Sequence, residues 1–427
     1  MLGIIAGCLV VCICALIYRR SRLQGSPHPL PPAAPGILPI IGHTHLLLTD
    51  TSTLWLRVKK FCDFSMQQGG VIYAQFGFDI YYFVSDPEDA IVVANTCLKK
   101  HFLYEFARYW LGDGLITGSG DHWSRHRQLL KQSFSLPIIN GYLEVFNSQA
   151  RMLLNALESS TGKGQIYPTP EVKKFSLGSS YLTTFGKHAN DEKIFKKYLK
   201  ATDEMLSLVM ERFQKVWLHN EFTYGLLGYK KQEAELLECR DEVADEIIQT
   251  KKTFFNETYD ESTYIPYRPL LHLILEQHTN NQFTEQEISE ELHTAIVAAY
   301  ETTAGSLQSI LVLIGSFPKV QEKIYEEVMQ VLGTDRDVDK EDLRKLVYTE
   351  AVVKESLRLL PTVPIIGRYI DRDLKLSKTY AMTALKIAVA HIVRKFIITG
   401  DYTKLQYQLD ITLKPFVGHD ISLERRS

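Results

Sequence analysis

The sequence predicts a mainly α-helical protein with small β-sheets, behind an N-terminal transmembrane anchor. Long stretches place apolar residues at helical spacing, above all Thr284–Phe317. Two short runs, Val71–Phe76 and Ile80–Val84, are rich in Val, Ile, Tyr and Phe, and Gly77 near their junction indicates a hairpin. The first residues form an uninterrupted apolar run. Together these patterns define the predicted fold class.

Composition limits the class of protein further. The chain has 427 residues, of which 45% are hydrophobic and 23% charged, as expected of a globular protein with a sizeable core. Its formal charge of −2 argues against a nucleic-acid partner, because neutralising phosphates requires a basic excess. The six cysteines form no CxxC pair and show no repeated spacing, and three of them lie in the N-terminal apolar run, so no disulfide framework is predicted. They are Cys8, Cys12, Cys14, Cys62, Cys97 and Cys239.

The N-terminal run Leu2–Tyr18 is just long enough to span a bilayer, which takes roughly 17 residues or more. Arg19, Arg20 and Arg22 follow it, and this positive charge predicts that the C-terminal side stays in the cytoplasm. A cleaved secretory signal is the alternative, but no basic segment precedes the run and no A-x-A cleavage site follows it. We therefore expect a retained anchor over residues 1–20.

Residues 21–42 form a Pro-rich segment, which stiffens the backbone into an extended spacer. We interpret it as a hinge between the anchor and a domain covering residues 43–427. Within that domain Asp86 and Pro87 predict the start of a helix, as N-cap and first helical residue. The region from 141 to 255 is predicted to be mostly helical, with breaks near 162–170 and 225–228, and carries no recognisable chemical motif.

The stretch Trp110–Phe134 combines a Gly-rich loop with a helix. Asp121 is the predicted N-cap of that helix, and Trp123 and Arg127 stand at i and i+4 on one of its faces. Taken alone, such a pair is usually a structural cation–π contact.

The long predicted helix Thr284–Phe317 begins with a capping box, because Glu287 stands three residues after Thr284. At its centre Glu301 and Thr302 lie within an otherwise apolar frame. A polar stripe facing solvent would explain them in isolation, and a functional acid and hydroxyl are the alternative.

The stretch Lys354–Arg368 carries the most informative pattern. Glu355 and Arg358 stand at i and i+3, so both side chains leave one face of a predicted helix over Asp339–Leu360. Pro361 ends that helix, since a proline forces the preceding residue out of the helical region. The pair is either a surface ion pair or a buried anchor, and the apolar flanks favour the anchor.

These motifs, in this order, resemble the cytochrome P450 superfamily of haem-thiolate monooxygenases, and the stretch at Trp110–Phe134 resembles its microsomal fatty-acid and insect clan. The resemblance implies that Trp123, Arg127 and Arg368 offer donors to the propionates of haem b, and that Glu301 and Thr302 relay protons during oxygen activation. It also implies a small lipophilic substrate, NADPH-cytochrome P450 reductase as redox partner, and a single-pass location in the endoplasmic reticulum membrane. The family's domain faces the cytoplasm.

The sequence departs from the family in two places. Ala299 stands where glycine is usual, and Ala298 where some members carry a haem-linking glutamate, so covalent haem is not expected. After Arg368 the family continues through a meander arginine and a loop containing the axial cysteine. Here only nine residues separate Arg368 from Lys378–Phe396, which resembles the helix after that loop. We therefore expect a deletion of several tens of residues at 377/378, which leaves the fold incomplete on the proximal side. Tyr407–Arg426 resembles the family's C-terminal hairpin.

Because the loop with the axial cysteine is missing, membership of the family would not by itself establish the function of this chain. Without the axial cysteine, and with Glu355–Arg358 lacking its third partner, both haem binding and stability are in question. One hypothesis is a microsomal monooxygenase whose sequence lacks a segment. A second is a membrane-anchored, non-catalytic isoform that binds a ligand or is degraded, and a third is an unrelated helical membrane scaffold.

Overall fold

A computed structural model describes residues 30–77, 79–186, 192–238, 240–241, 267–279, 282–369, 392–409 and 411–425. The chain divides into two compact units, Met1–Cys97 with Ile370–Lys375, and Leu98–Tyr369 with Leu376–Ser427. The predicted anchor Leu2–Tyr18 and most of the predicted helix Lys378–Phe396 lie outside the described residues.

The described residues are mainly helical, with three small sheets, as the sequence predicts. The helices are α1 (Thr51–Gln67), α2 (Pro87–Thr96), α3 (Glu105–Leu111), α4 (Gly120–Leu130), α5 (Leu136–Gly141), α6 (Leu143–Glu158), α7 (Thr169–Phe185), α8 (Glu192–Gln214), α9 (Glu221–Leu226), α10 (Leu270–Thr279), α11 (Glu285–Ser316), α12 (Pro318–Leu332), α13 (Lys340–Lys345) and α14 (Val347–Leu359). Residues 229–238 are also helical.

The first unit contains α1, α2 and the predicted hairpin. Strands β1 (Val71–Phe76) and β2 (Asp79–Val84) pair antiparallel, with Val71 opposite Val84. Asp86 caps α2 as predicted, since its Oδ1 accepts from the Asp89 amide at 3.0 Å. The core of this unit is small and includes a fully buried Ile72 on β1.

The second unit is built around α11. This helix begins at Thr284 with the predicted capping box: the Thr284 side chain accepts from the Glu287 amide, and the Glu287 side chain accepts from the Thr284 amide. It packs chiefly against α7 and against strand β4 (Phe396–Gly400). The approach to β4 is close at Gly315, where a Cβ would lie 2.7 Å from the Gly400 nitrogen. A side chain at this position would force the strand away from the helix.

Helix α11 is also the described helix that is long and apolar enough to cross a membrane by length and composition. Most of its apolar stretch is buried inside the protein. A helix buried in this way belongs to the core of its own unit.

Two further sheets complete the second unit. Strands β3 (Gln165–Ile166), β7 (Ile421–Arg425) and β4 form one antiparallel sheet in the order β3-β7-β4. Strands β5 (Gln406–Leu409) and β6 (Leu413–Val417) form a second antiparallel pair. The C-terminal hairpin predicted over Tyr407–Arg426 is therefore present only in part, because β5 pairs with β6 whereas β7 pairs with β3 and β4.

Two helix boundaries differ from those predicted. Asp121 is not the N-cap of α4, because Ser119 holds the extended N-cap conformation and Asp121 lies in the first turn. The predicted helix Asp339–Leu360 is two helices, α13 and α14, separated at Leu346. Asp121 still places a negative charge near the positive, N-terminal end of the α4 dipole.

Candidate functional site

A buried lysine lies at the centre of a cationic cluster in the second unit. Lys100 is only 8% exposed, and its ammonium group donates to the carbonyl oxygens of Leu115 at 2.6 Å and Ile116 at 2.5 Å. The same nitrogen lies 5.8 Å from the ring centroid of Trp123. Burial, reinforced by the charge of Arg368, lowers the pKa of Lys100 to about 7. Sequence analysis missed Lys100, because an isolated lysine outside a motif carries no signal of burial.

Arg368 reaches this cluster through the backbone. Residues 100 and 368 form an antiparallel bridge, and the Tyr369 amide donates to the Lys99 carbonyl at 2.8 Å. The Arg368 guanidinium donates to the Gly367 carbonyl at 2.9 Å. The structure therefore brings Arg368 and Lys100 together, although the two lie far apart in the sequence.

The tryptophan and arginine of α4 are placed differently from each other. Trp123 Nε1 donates to the Leu115 carbonyl at 3.1 Å, and the cation over its ring is Lys100. Arg127 follows one turn later and is half-buried. The predicted Trp123–Arg127 cation–π alternative is thus replaced by a Trp123–Lys100 contact.

Two neighbouring cations, Lys100 and Arg368, make this cluster suited to an anionic ligand.

Glu301 and Thr302, adjacent on α11, contact different partners. Glu301 is 4% exposed, and its Oε1 accepts from the Lys414 ammonium of β6 at 2.7 Å. Its Oε2 is buried without a hydrogen-bond partner among the described residues. The Thr302 hydroxyl donates to the Ala298 carbonyl one turn earlier, at 2.6 Å. A buried polar atom without a partner is costly, so Glu301 Oε2 marks a place where a water or ligand donor would fit.

The charged pair on α14 is a surface pair. Arg358 donates to both carboxylate oxygens of Glu355 at 2.7 Å, so the pair has formed. The two side chains are, however, 54% and 68% exposed. The buried-anchor interpretation is therefore wrong for the described structure, because no described element covers this face of α14.

A second charged cluster, which sequence analysis missed, joins α4 to α11. His126 is fully buried, with Nδ1 2.6 Å from Glu291 Oε1 and Nε2 3.0 Å from Glu287 Oε1. Arg125 also pairs with Glu287. Burial alone favours neutral histidine, but the hydrogen bonds to the two carboxylates raise the pKa of His126. Burial likewise favours a neutral Glu287, yet hydrogen bonds from Thr284 and His126 lower its pKa to about 2.

The described cysteines are Cys62 and Cys97, both in the first unit. Burial raises the pKa of the Cys62 thiol, which favours the neutral form over the thiolate. No cysteine follows Cys239 in the sequence. The environment of Cys62 therefore does not favour the thiolate that a haem ligand requires.

The fold and the cationic cluster define a class: large, mainly helical proteins with a long core helix beside a site for an anionic group. Comparison with known proteins gives the family. The cytochrome P450 family model matches residues 31–396, and the chain belongs to the cytochrome P450 family. This membership excludes the hypothesis of an unrelated helical scaffold.

Individual relatives place the chain near the insect P450s. It is 30% identical to cytochrome P450 4c21 of Blattella germanica, over 69% of this chain and 61% of that protein. It is 28% identical to a probable cytochrome P450 4d21 of Drosophila melanogaster, over 87% of this chain and 77% of that protein. It is also 28% identical to cytochrome P450 4V2 of Mus musculus, over 67% of this chain and 57% of that protein. The match thus spans between about three-fifths and three-quarters of the length of these relatives.

The residues present fit haem, the cofactor that the family implies, only in part. Lys100 and Arg368 are cations that would pair with its carboxylates, and Trp123 would add its N–H on releasing the Leu115 carbonyl. The metal of a haem-thiolate protein also needs an anionic sulfur ligand, and burial keeps the thiol of Cys62 neutral. The fit is therefore to the carboxylates of haem and not to its metal.

Proposed function

We propose that this chain is a membrane-anchored relative of the P450 haem monooxygenases that has neither thiolate-ligated haem nor monooxygenase activity as it stands. One observation carries the proposal: the last cysteine is Cys239, whereas the family's axial cysteine follows the motif that ends at Arg368. The axial ligand sets the chemistry of haem iron, and thiolate is the ligand that favours O–O cleavage. A chain without that sulfur retains the means to bind and orient haem but not the means to activate oxygen.

The chain's own residues define what binding remains. Lys100 and Arg368, with Arg127 and Trp123 on α4, would contact the haem carboxylates. Because Lys100 is buried and its pKa is lowered to about 7, an anion beside it would favour the charged lysine and remove part of the burial cost. Haem association would therefore be loose, reversible and supported from one edge of the ring.

The decisive test is a reduced, carbon-monoxide-bound absorption spectrum of the purified chain. We expect no Soret band at the position diagnostic of thiolate ligation. A control chain carries a proximal segment from the Drosophila melanogaster relative, inserted between Ser377 and Lys378, and should gain that band. A thiolate band in the unmodified chain would mean that one of its six cysteines reaches the iron, and the proposal would be wrong.

The inserted segment also allows the acid and hydroxyl of α11 to be tested. In the restored chain we expect Thr302→Ala to uncouple oxygen consumption from product formation, because a hydroxyl beside Glu301 would hold the water that delivers protons. Thr303→Ala, one position along, is the matched control. Equal coupling in the Thr302→Ala and unmodified restored chains would remove Thr302 from the mechanism.

Membrane attachment and partners belong to the same proposal. The run Leu2–Tyr18 followed by three arginines supports a single-pass anchor in the endoplasmic reticulum, with the domain in the cytosol beside NADPH-cytochrome P450 reductase. Protease added to sealed microsomes should digest the domain, and alkaline carbonate should not release the chain. A protected domain or a released chain would contradict the topology.

A non-catalytic, ligand-binding isoform is the alternative, and the Glu301–Lys414 pair favours it. A carboxylate held by a lysine at 2.7 Å is less available to move protons than a free one. The genomic sequence between the codons for Ser377 and Lys378 separates the two hypotheses. An open reading frame there that encodes Phe-x-x-Gly-x-Arg-x-Cys would indicate a monooxygenase gene with a skipped segment, and its absence would favour the isoform.

A further inference from the structure

Three side chains between α4 and α11 lie close enough to share one metal ion. His122 and His126 stand at i and i+4 on α4, and Glu287 lies in the first turn of α11. One ligand atom from each residue lies within 4.8 Å of the other two. The two imidazole rings are 4.0 Å apart between centroids. Two residues at i and i+4 on a helix project from the same face, so this arrangement needs no rearrangement of the backbone.

The chemistry of these donors favours Zn²⁺. Zinc sites use imidazole nitrogen and carboxylate oxygen, commonly as two histidines and one glutamate with a fourth position left for water. Calcium and magnesium instead prefer oxygen ligands, which are outnumbered here. Imidazole pairs at this spacing on one helix also occur in known zinc sites.

A supporting carboxylate already orients the central histidine. Glu291 Oε1 lies 2.6 Å from His126 Nδ1, and both side chains are buried, at 1% and 0% exposure. A histidine that ligates a metal almost always donates its other ring N–H to a carboxylate or carbonyl in this way. The contact directs His126 Nε2 towards Glu287, 3.0 Å away. The Asp113 carbonyl, 3.1 Å from His122 Nε2, restrains the second imidazole.

Arg125 is the group that a metal ion must displace. Its guanidinium pairs with Glu287 and lies 2.7 Å from His126 Nε2, so it occupies the side of the carboxylate that faces the histidines. The Arg125 side chain is 43% exposed and extends from the surface end of the cluster. Its movement into solvent would break its contacts with Glu287 and His126 and its hydrogen bond to the Gln282 carbonyl, whereas the buried side chains of His126 and Glu291 would keep their mutual hydrogen bond.

We propose that His122, His126 and Glu287 form a Zn²⁺ site that joins helix α4 to the start of helix α11, with Glu291 positioning His126. On binding, Glu287 exchanges the Arg125 guanidinium for the metal, the two neutral imidazoles supply nitrogen ligands, and water fills the fourth position. The site is independent of haem, and it cross-links the helix that carries Trp123 and Arg127 to the helix that carries Glu301 and Thr302.

The test is a calorimetric titration of the tag-free, detergent-purified full chain with ZnCl₂, after dialysis against a chelator. We expect one Zn²⁺ per chain and a higher thermal midpoint with zinc. His122→Ala should weaken binding at least tenfold. Glu291→Gln, which keeps all three ligands, should weaken it by about 10- to 100-fold, the range measured for supporting groups in other metal sites.

Arg125→Gln and His45→Ala are the matched controls. Arg125→Gln removes the competing cation but no ligand, so it should tighten Zn²⁺ binding. His45→Ala, in the first unit, removes a half-buried histidine elsewhere and should leave the affinity unchanged. Circular dichroism of each apo variant establishes that it is folded before titration.

Several outcomes would overturn the proposal. Absence of a 1:1 site in the unmodified chain would do so, whatever the Arg125→Gln variant binds. Equal affinity in the His122→Ala and unmodified chains would show that zinc binds elsewhere. Weaker binding in folded Arg125→Gln would mean that the guanidinium supports the ion rather than competing with it, and the assigned ligand geometry would be wrong.

Discussion

Two pairs of charged residues in the second unit have opposite environments. His126 and Glu291 meet between α4 and α11, with exposures of 0% and 1%. Glu355 and Arg358 meet along one helix, with exposures of 54% and 68%. The sequence favours the second pair as the anchor, yet the structure buries the first. The difference shows that burial of a charge is decided by whether another element packs over it.

The buried pair is stabilised by more than one partner. Glu291 accepts from His126 and also from the Leu115 amide at 3.3 Å, so it fixes the Gly-rich loop as well as α4. Glu355 accepts only from Arg358 among the contacts described for it. An isolated surface pair contributes little, because water screens the attraction and two long side chains must be ordered.

The largest expected effect comes from breaking the buried pair. We expect Glu291→Ala to lower the free energy of unfolding by about 3–5 kcal/mol, because His126 would be left buried without its closest carboxylate. The measurement is the midpoint of urea unfolding followed by circular dichroism. Glu290→Ala is the control, since Glu290 is half-buried and adjacent in sequence but accepts from the Asp113 amide at 3.1 Å. Equal losses in the two variants would contradict a special role for the buried pair.

A second buried charged pair, Glu301 and Lys414, tests whether removing one partner is costly at other buried pairs. Lys414→Met should cost about 3 kcal/mol, the lower end of the range for a buried pair, because Lys414 is itself 18% exposed while Glu301 is 4% exposed. Adding Glu301→Gln should recover much of the loss, since the unpaired charge is then gone. A double variant less stable than Lys414→Met alone would show that Glu301 is held by contacts other than the lysine.

The sequence predicts the elements better than it predicts their contacts. The capping box at Thr284 and the hairpin over 71–84 depend on residues close in the chain, and the structure has both. Lys100, His126 and Lys414 were missed because their partners lie far away along the chain. No local pattern distinguishes a lysine that meets Glu301 from one that meets solvent.

The buried cluster should also shape the pH dependence of stability. His126 has a raised pKa, so its contribution is complete below the ordinary value of 6.5 and is lost as pH rises through the raised one. Glu287 has a pKa lowered to about 2 from 4.5, so its contribution is complete above 4.5 and is lost as pH falls towards 2. The cluster therefore stabilises the fold most between pH 4.5 and pH 6.5.

This pH dependence is measured as the urea midpoint between pH 4 and 9, on the unmodified chain and on His126→Gln. Above pH 7, Lys100 has the opposite effect on stability from His126. Its pKa is lowered to about 7, so its contribution to stability rises with pH above that value. The difference between the two chains isolates the histidine. We expect the difference to shrink above pH 6.5, and a constant difference would mean that His126 does not titrate in this range.

The smallest effect on stability is expected at the exposed pair of Glu355 and Arg358. In the chain as it stands, Glu355→Ala should leave the urea midpoint unchanged, because its carboxylate is exposed and its partner Arg358 remains solvated. In the chain restored with a relative's segment between Ser377 and Lys378, the same substitution should lower the midpoint clearly, since the segment would cover α14 and supply the third, basic partner. Lys354→Ala, also exposed and one position earlier, is the control in both chains. If Glu355→Ala remains silent in the restored chain, the pair is a surface pair in its own right, and the missing segment is not what leaves it exposed.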